Sequence, residues 1–334
     1  MAKASAAAIR RQSGVALLTV LLVVFLAGVA AASLATVQQF AIRRSGLLLH
    51  QQQARLYALG GEALAALVLR QDLENDRQQG GVAKDHLNEA WATESPVFPI
   101  EGGVLSGRIE DLQSCFNLNN LVPEADSGTG TPDDSQAARQ RAAFGRLLNT
   151  LNLNPDLIDA ITDWIDPDQD QRTAGAEDAV YLSRDPAYLT AGRYLESISE
   201  LRLIDGIDPE VYDALAPHVC ALPPGSTLNI NTASSVVLTV LQDDLSEPEL
   251  KARLETRPAE GYDDVDQFLL DFGIDAENSY PKANLTVASR HFRVRIAAEV
   301  GDGRWQLTSV VERDDQGRVR VLRRTFGNDE FTTP

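Results

Sequence analysis

The sequence predicts an α+β chain: a long N-terminal helix, an antiparallel sheet, and a large, mainly helical block inserted within the sheet region. Three observations predict it. Residues Val15 to Val37 carry no charged side chain, Ser135 to Val287 show mainly helical periodicity, and Phe292 to Val300 with Arg304 to Glu312 flank Gly301-Asp302-Gly303 as the arms of a hairpin.

The apolar run, at ~1.5 Å per residue, makes a helix of about 35 Å, enough to cross the hydrocarbon core of a bilayer. Lys3, Arg10 and Arg11 precede it and Arg43 and Arg44 follow. The basic leader favours a cytoplasmic N-terminus and a body across the membrane. A cleaved secretory signal has an apolar region of only about 7–15 residues, and helical spacing continues beyond this run. Leu56, Leu59, Ala63, Leu67 and Leu69 fall roughly on one stripe, the expected amphipathic continuation.

Turn residues come next: Gly80-Gly81, Pro96, Pro99 and Gly102-Gly103. Val104 to Asn117 is strand-like, and the Pro-, Gly- and Asp-rich stretch Pro123 to Asp134 reads as a loop and domain boundary. Within the helical block, Phe144, Leu147, Leu148 and Leu151 share one face, as do Leu157, Ile158, Ile161 and Ile165. A last strand is expected over Arg318 to Phe326 after Asp315-Gln316-Gly317.

The chain has 334 residues, 44% of them apolar, and a formal net charge of −18. That composition suits a folded protein, and the charge opposes a phosphate backbone while suiting divalent cations and basic surfaces. Cys115 and Cys220 are either bonded to each other, in an oxidising compartment, or two buried thiols. His50, His86, His218 and His291 stand in no local metal or triad spacing, and no nucleophile elbow or phosphate loop is present, so no catalytic residues are expected.

Arg10-Arg11-Gln12-Ser13-Gly14 followed by Val15-Ala16-Leu17-Leu18-Thr19 resembles the prepilin class III signal. The resemblance implies cleavage by a prepilin peptidase between Gly14 and Val15, methylation of the new N-terminus, and retention of the apolar helix. Most pilin-like subunits carry Glu at the fifth mature position, where this chain has Thr19. A carboxylate in an apolar helix needs a cation to pair with; a subunit with Thr has no such charge to satisfy and suits a fibre tip. Lack of this Glu is characteristic of the K-type minor pseudopilin of type II secretion systems. Phe116-Asn-Leu-Asn119, Ser199-Glu-Leu-Arg-Leu203, Leu228-Asn-Ile-Asn-Thr-Ala233 and the final strands, in this order, extend the resemblance over nearly the whole chain.

The family implies a pilin-like fold in five parts. These are a leader (1–14), the transmembrane part of the helix (15–37), its continuation with the first part of the pilin-like domain (38–122), an inserted helical domain (123–287) and C-terminal strands (288–334). It implies a structural protein, not an enzyme, anchored once in the bacterial inner membrane with a periplasmic body. That body would cap the pseudopilus and help initiate its assembly. The implied partners are the I- and J-type minor pseudopilins, the H-type, the major pseudopilin and the inner-membrane secretion platform.

One loop points to a cation. From Asp166, carboxylates at Asp166, Asp168, Asp170 and Glu177 recur at positions 1, 3, 5 and 12, the ligand spacing of an EF-hand, with the Arg172 carbonyl at position 7. Asp163 and Asp178 stand ready for a second ion or for support of the first. Gln171 occupies the sixth position, where an EF-hand needs Gly, so this is an EF-hand-like loop only. K-type relatives bind calcium in this domain, which makes calcium the implied ion; zinc is disfavoured by the absence of His and Cys.

The segment from Leu228 also resembles the opening of a helix-hairpin-helix module, with Asn231 or Thr232 as the expected helix cap. This supports an alternative, a membrane-anchored DNA-uptake receptor. Against it, Leu241 to Glu249 lacks the glycine hairpin and carries four acids, so no nucleic acid is expected as a partner.

Overall fold

The structure, a computed structural model, describes residues 13–78, 81–93, 97–122, 134–275 and 280–327. Most of the expected leader and nearly all of the expected boundary loop lie outside the described residues. Helix α1 (Ser13–Gln78) is continuous for 66 residues, about 100 Å at the α-helical rise. From Val15 to Ile42 its large apolar side chains are all exposed, as a membrane-crossing segment requires.

The sheet has five antiparallel strands in the order β1 (Phe98–Ile100), β2 (Gly103–Asp111), β7 (His291–Val300), β8 (Gly303–Arg313) and β9 (Val319–Phe326). Everything between β2 and β7 is the insertion, so the expected interruption of the sheet holds. The insertion comprises α2 (Asp134–Thr150), α3 (Leu157–Ile165), α4 (Asp178–Tyr181), α5 (Pro209–Leu215), α6 (Ser235–Leu238), α7 (Glu247–Glu255) and α8 (Val265–Phe272). Two short parallel pairs accompany them, β3 (Phe116–Asn117) with β4 (Val219–Cys220) and β5 (Leu228–Asn229) with β6 (Leu285–Thr286).

The insertion begins earlier than the sequence suggested. Phe116, Leu118, Leu121 and Val122 already belong to the helical unit's core, beside Phe144, Leu147 and Leu148. The boundary at 122/123 therefore moves to the end of β2. Loop composition marks where the chain is free of the core, not where one core gives way to the next. Cys115 and Cys220 are joined as a disulfide with Cα atoms 5.8 Å apart.

The expected stripe on α1 also needs correction. Of its five residues only Leu69 is buried; Leu56 is 68% and Leu67 47% exposed. The face against the sheet is instead made by Ala54, Ala58, Gly61, Ala65 and Leu69, packed on Phe292, Val294, Ile296, Ala298, Leu307 and Val311. Small residues let the helix backbone approach the sheet, while Leu56 and Leu67 are turned outward. At the upper end of this contact the approach is closest. A Cβ on Gly303 would lie 2.5 Å from the His50 backbone, so the hairpin glycine is also the point where α1 crosses the turn.

Candidate functional site

The buried residues of helix α3 are apolar except for Thr162, Asp163 and the cap residue Asp166, the two acids one turn apart with Asp159 on the same face. Both carboxylates are buried. The loop that leaves α3 runs outward and returns at Glu177, the buried residue that precedes α4. Asp163, Asp166 and Glu177 each place a carboxylate oxygen within 4.8 Å of the others.

Arg172 enters this group from the loop. Its Nη1 donates to Asp163 Oδ1 at 2.6 Å and to Asp166 Oδ2 at 2.5 Å, and its backbone N–H donates to Asp163 Oδ2 at 3.1 Å. One guanidinium thus faces three carboxylates. Asp166 Oδ1 and both oxygens of Glu177 are buried without a hydrogen-bond partner. Burial, and then repulsion from Asp163, Asp166, Asp168 and Asp178, pushes the Glu177 carboxyl up to about 7. Burial likewise raises Asp166, against the pull of Arg172.

The structure gathers a different subset from the one the spacing predicted. Asp163, expected in a supporting place, is at the centre with Asp166 and Glu177. Asp168 and Asp170 are exposed on the loop, where Asp168 Oδ1 accepts from the Asp170 N–H at 2.9 Å. The Arg172 carbonyl accepts from the Gly175 N–H at 3.1 Å. Asp178 turns away, accepting from the Thr190 N–H at 2.9 Å and its hydroxyl at 2.8 Å. The loop lacks glycine at position six and so does not wrap as an EF-hand. Its tight point is Gly175, where a Cβ would lie 1.8 Å from Asp163 Oδ2. Sequence reasoning missed Gly175; the buried spacing of Asp163 and Asp166 on an apolar helix was the available signal.

A second group of three acids, Asp72, Asp85 and Glu89, lies where α1 meets the insertion. Here the cation is built in. Buried Arg313 donates through Nη2 to both Asp85 oxygens at 2.7 and 2.6 Å and to the Ser289 carbonyl. Its Nη1 donates to the Leu69 carbonyl and to Asp72 at 3.3 Å. Ser289 links this group to the buried Asp111, whose Oδ2 accepts from Ser289 Oγ at 2.7 Å, Thr232 Oγ1 at 2.5 Å and Asn229 Nδ2 at 3.2 Å.

This network accounts for the Leu228-Asn-Ile-Asn-Thr-Ala233 motif. Asn229 and Thr232 bind across the junction, while Asn231 Nδ2 donates to the Tyr262 carbonyl at 3.0 Å. Neither Asn231 nor Thr232 caps the next helix, as the sequence had suggested. The cap of α6 is Ser234, which accepts from the Val237 N–H. Asn229 holds the insertion on the sheet, and Asn231 fixes the insertion's own fold. Asn117 and Asn119 of the earlier motif work within the insertion, Asn119 Nδ2 donating to the carbonyls of Leu195 and Leu222.

At the membrane end, Gly14 and Val15 lie in the first turn of α1. Thr19, exposed on that helix, donates its hydroxyl to the Ala16 carbonyl at 2.9 Å. That hydroxyl is thus satisfied within its own helix.

Two family models for type II secretion system protein K match residues 114–224 and 228–288. Type II secretion system protein K of Pseudomonas aeruginosa is 38% identical over 97% of the chain and 96% of that protein. The chain belongs to the type II secretion system protein K family. The Aeromonas hydrophila member is 37% identical over 96% of the chain and 99% of its own length. Among solved structures, a chain of the GspK-GspI-GspJ complex from enterotoxigenic Escherichia coli aligns with a TM-score of 0.71 at 29% identity. The match covers 86% of this chain and 100% of that one. The chain is thus a minor pseudopilin, a structural component of type II secretion, and its apolar N-terminal helix, the one such helix among the described residues, fits a single-pass membrane anchor. The DNA-receptor alternative finds no support in these relatives.

Proposed function

We propose that the chain caps the periplasmic pseudopilus and helps initiate its assembly with the I- and J-type minor pseudopilins. In this reading the prepilin peptidase cuts between Gly14 and Val15, the new amine is methylated, and the helix waits in the inner membrane with the body in the periplasm. The observation that carries it is Thr19, whose hydroxyl is satisfied by Ala16 in its own helix. A subunit with Glu there needs the amine of a subunit ahead of it; this one needs none, and the subunit with nothing ahead is the tip. The bulk of the insertion points the same way, since a unit of that size is hard to repeat along a fibre. In the oxidising periplasm the Cys115–Cys220 pair is expected as a stable disulfide.

The acidic loop is proposed as a calcium site. The buried oxygens of Asp166 and Glu177 that lack partners support it, as does the all-oxygen donor set. Asp163, Asp166 and Glu177 would hold the ion, with Asp168 and Asp170 available on the solvent side. The ion would supply positive charge that Arg172 alone cannot match, and so fix the returning loop against α3.

Mass spectrometry of the N-terminus from native membranes tests the processing. A chain beginning at methylated Val15 is expected; one retaining Met1, or beginning near Ser33, would overturn the pilin-like route.

A further inference from the structure

Arg172 is bound to the acidic loop in two separable ways. Its backbone is fixed: the N–H donates to Asp163 Oδ2 at 3.1 Å and the carbonyl accepts from the Gly175 N–H at 3.1 Å. Its guanidinium, among the described residues, is held by two carboxylates alone. Nη1 reaches Asp163 Oδ1 at 2.6 Å and Asp166 Oδ2 at 2.5 Å, and 31% of the side chain is open to solvent. Among the described residues no other cation pairs with Asp163 or Asp166. The side chain is therefore a positive charge on a fixed stem. It can leave its partners while the turn from Arg172 to Gly175 stays in place.

A calcium ion held by Asp163, Asp166 and Glu177 needs the same oxygens. Calcium takes its ligands at about 2.3–2.6 Å, and Nη1 already stands at that distance from two of the three acids. A guanidinium and a divalent ion drawn to one buried group of carboxylates repel each other, the more so where water screens little. The divalent charge is also the better match. Asp166 Oδ1 and both Glu177 oxygens are buried without a donor, and Arg172 bonds none of them. The guanidinium has solvent to move into; the side chains of Asp163 and Asp166, 0% and 4% exposed, do not.

We propose that Arg172 is a tethered competitor of the ion, a role that depends on the calcium site proposed above. Its guanidinium neutralises Asp163 and Asp166 while no ion is bound, and swings into solvent when one binds. It thereby raises the calcium concentration at which the loop loads, because part of the ion's binding free energy goes into expelling a bonded cation. In calcium titrations of the detergent-solubilised full chain, Arg172→Gln should bind at least about tenfold tighter than the natural chain. Arg172→Lys, which keeps the charge, should stay within about threefold of it. Saturating calcium should also speed phenylglyoxal modification of Arg172 in the natural chain at least about threefold, while leaving the buried Arg313 unchanged. Mass spectrometry of the modified peptides reads both rates. Equal or weaker binding by Arg172→Gln, or a modification rate that calcium leaves unchanged or lowers, would overturn the competitor and leave the calcium site standing. No calcium response in either the natural chain or Arg172→Gln would remove the site, and the competitor with it. Should the Gln variant not fold without calcium, the labelling of the natural chain decides alone.

Discussion

The two acidic clusters have the same ingredients, three carboxylates and one arginine, and opposite constructions. At the junction, Arg313 is 3% exposed and its donors are shared among two carboxylates and two backbone carbonyls. In the loop, Arg172 is 31% exposed, reaches two of three carboxylates, and leaves Glu177 with both oxygens unmatched. A buried charge is tolerable when its partners are fixed, and costly when they are missing. In the first cluster every carboxylate has a donor within the protein and the group holds two units together; in the second Glu177 has none, which suits an ion from outside.

The largest effect that would separate them is loss of the arginine. Arg313→Met leaves Asp85 buried and unpaired, a cost of about 3–5 kcal/mol for breaking a buried pair. Urea unfolding of the detergent-solubilised chain should show it with or without calcium. Arg172→Gln leaves the buried Asp163 and Asp166 without their cation and should cost a comparable amount in chelator, but there calcium should restore the stability. If both variants lost the same amount in both conditions, the contrast between the clusters would be gone.

A smaller effect comes from pH at the junction. Burial first, then repulsion from Asp85, pushes Asp72 up to about 7; burial, then Asp72, pushes Glu89 up to about 8. Between the ordinary carboxylate range and those values the folded chain holds more protons than the unfolded one, so stability falls as pH rises. The decline should run from about pH 4 to about pH 8 and then level off. Melting temperatures across that window should follow it, and Glu89→Gln should flatten the upper part. A rise in melting temperature from pH 6 to pH 8 would contradict the assignment.

Which parts were readable from sequence follows from the same physics. The membrane run, the hairpin at Gly301-Asp302-Gly303 and the faces of α2 and α3 are local patterns, each fixed by a repeat of its own, and the structure follows them. The contact face of α1 was misread because leucine is the more apolar residue, while Ala54, Ala58 and Gly61 are the ones that permit close approach. The junction was invisible for another reason: Asp85, Asp111, Asn229, Ser289 and Arg313 come from five separate stretches, and no local spacing joins them. The acidic loop was half readable. Its carboxylate spacing was visible, but burial selected Asp163, Asp166 and Glu177 from the set.

Calcium binding by the intact chain tests the account most directly. Isothermal titration in detergent, after chelation and dialysis, should show saturable calcium binding to the natural chain. Melting temperature should rise with calcium, and both signals should be lost in Glu177→Gln while Glu89→Gln keeps them. Calcium binding that survives Glu177→Gln, or a natural chain with no calcium response, would contradict the reading of the loop as the open cluster.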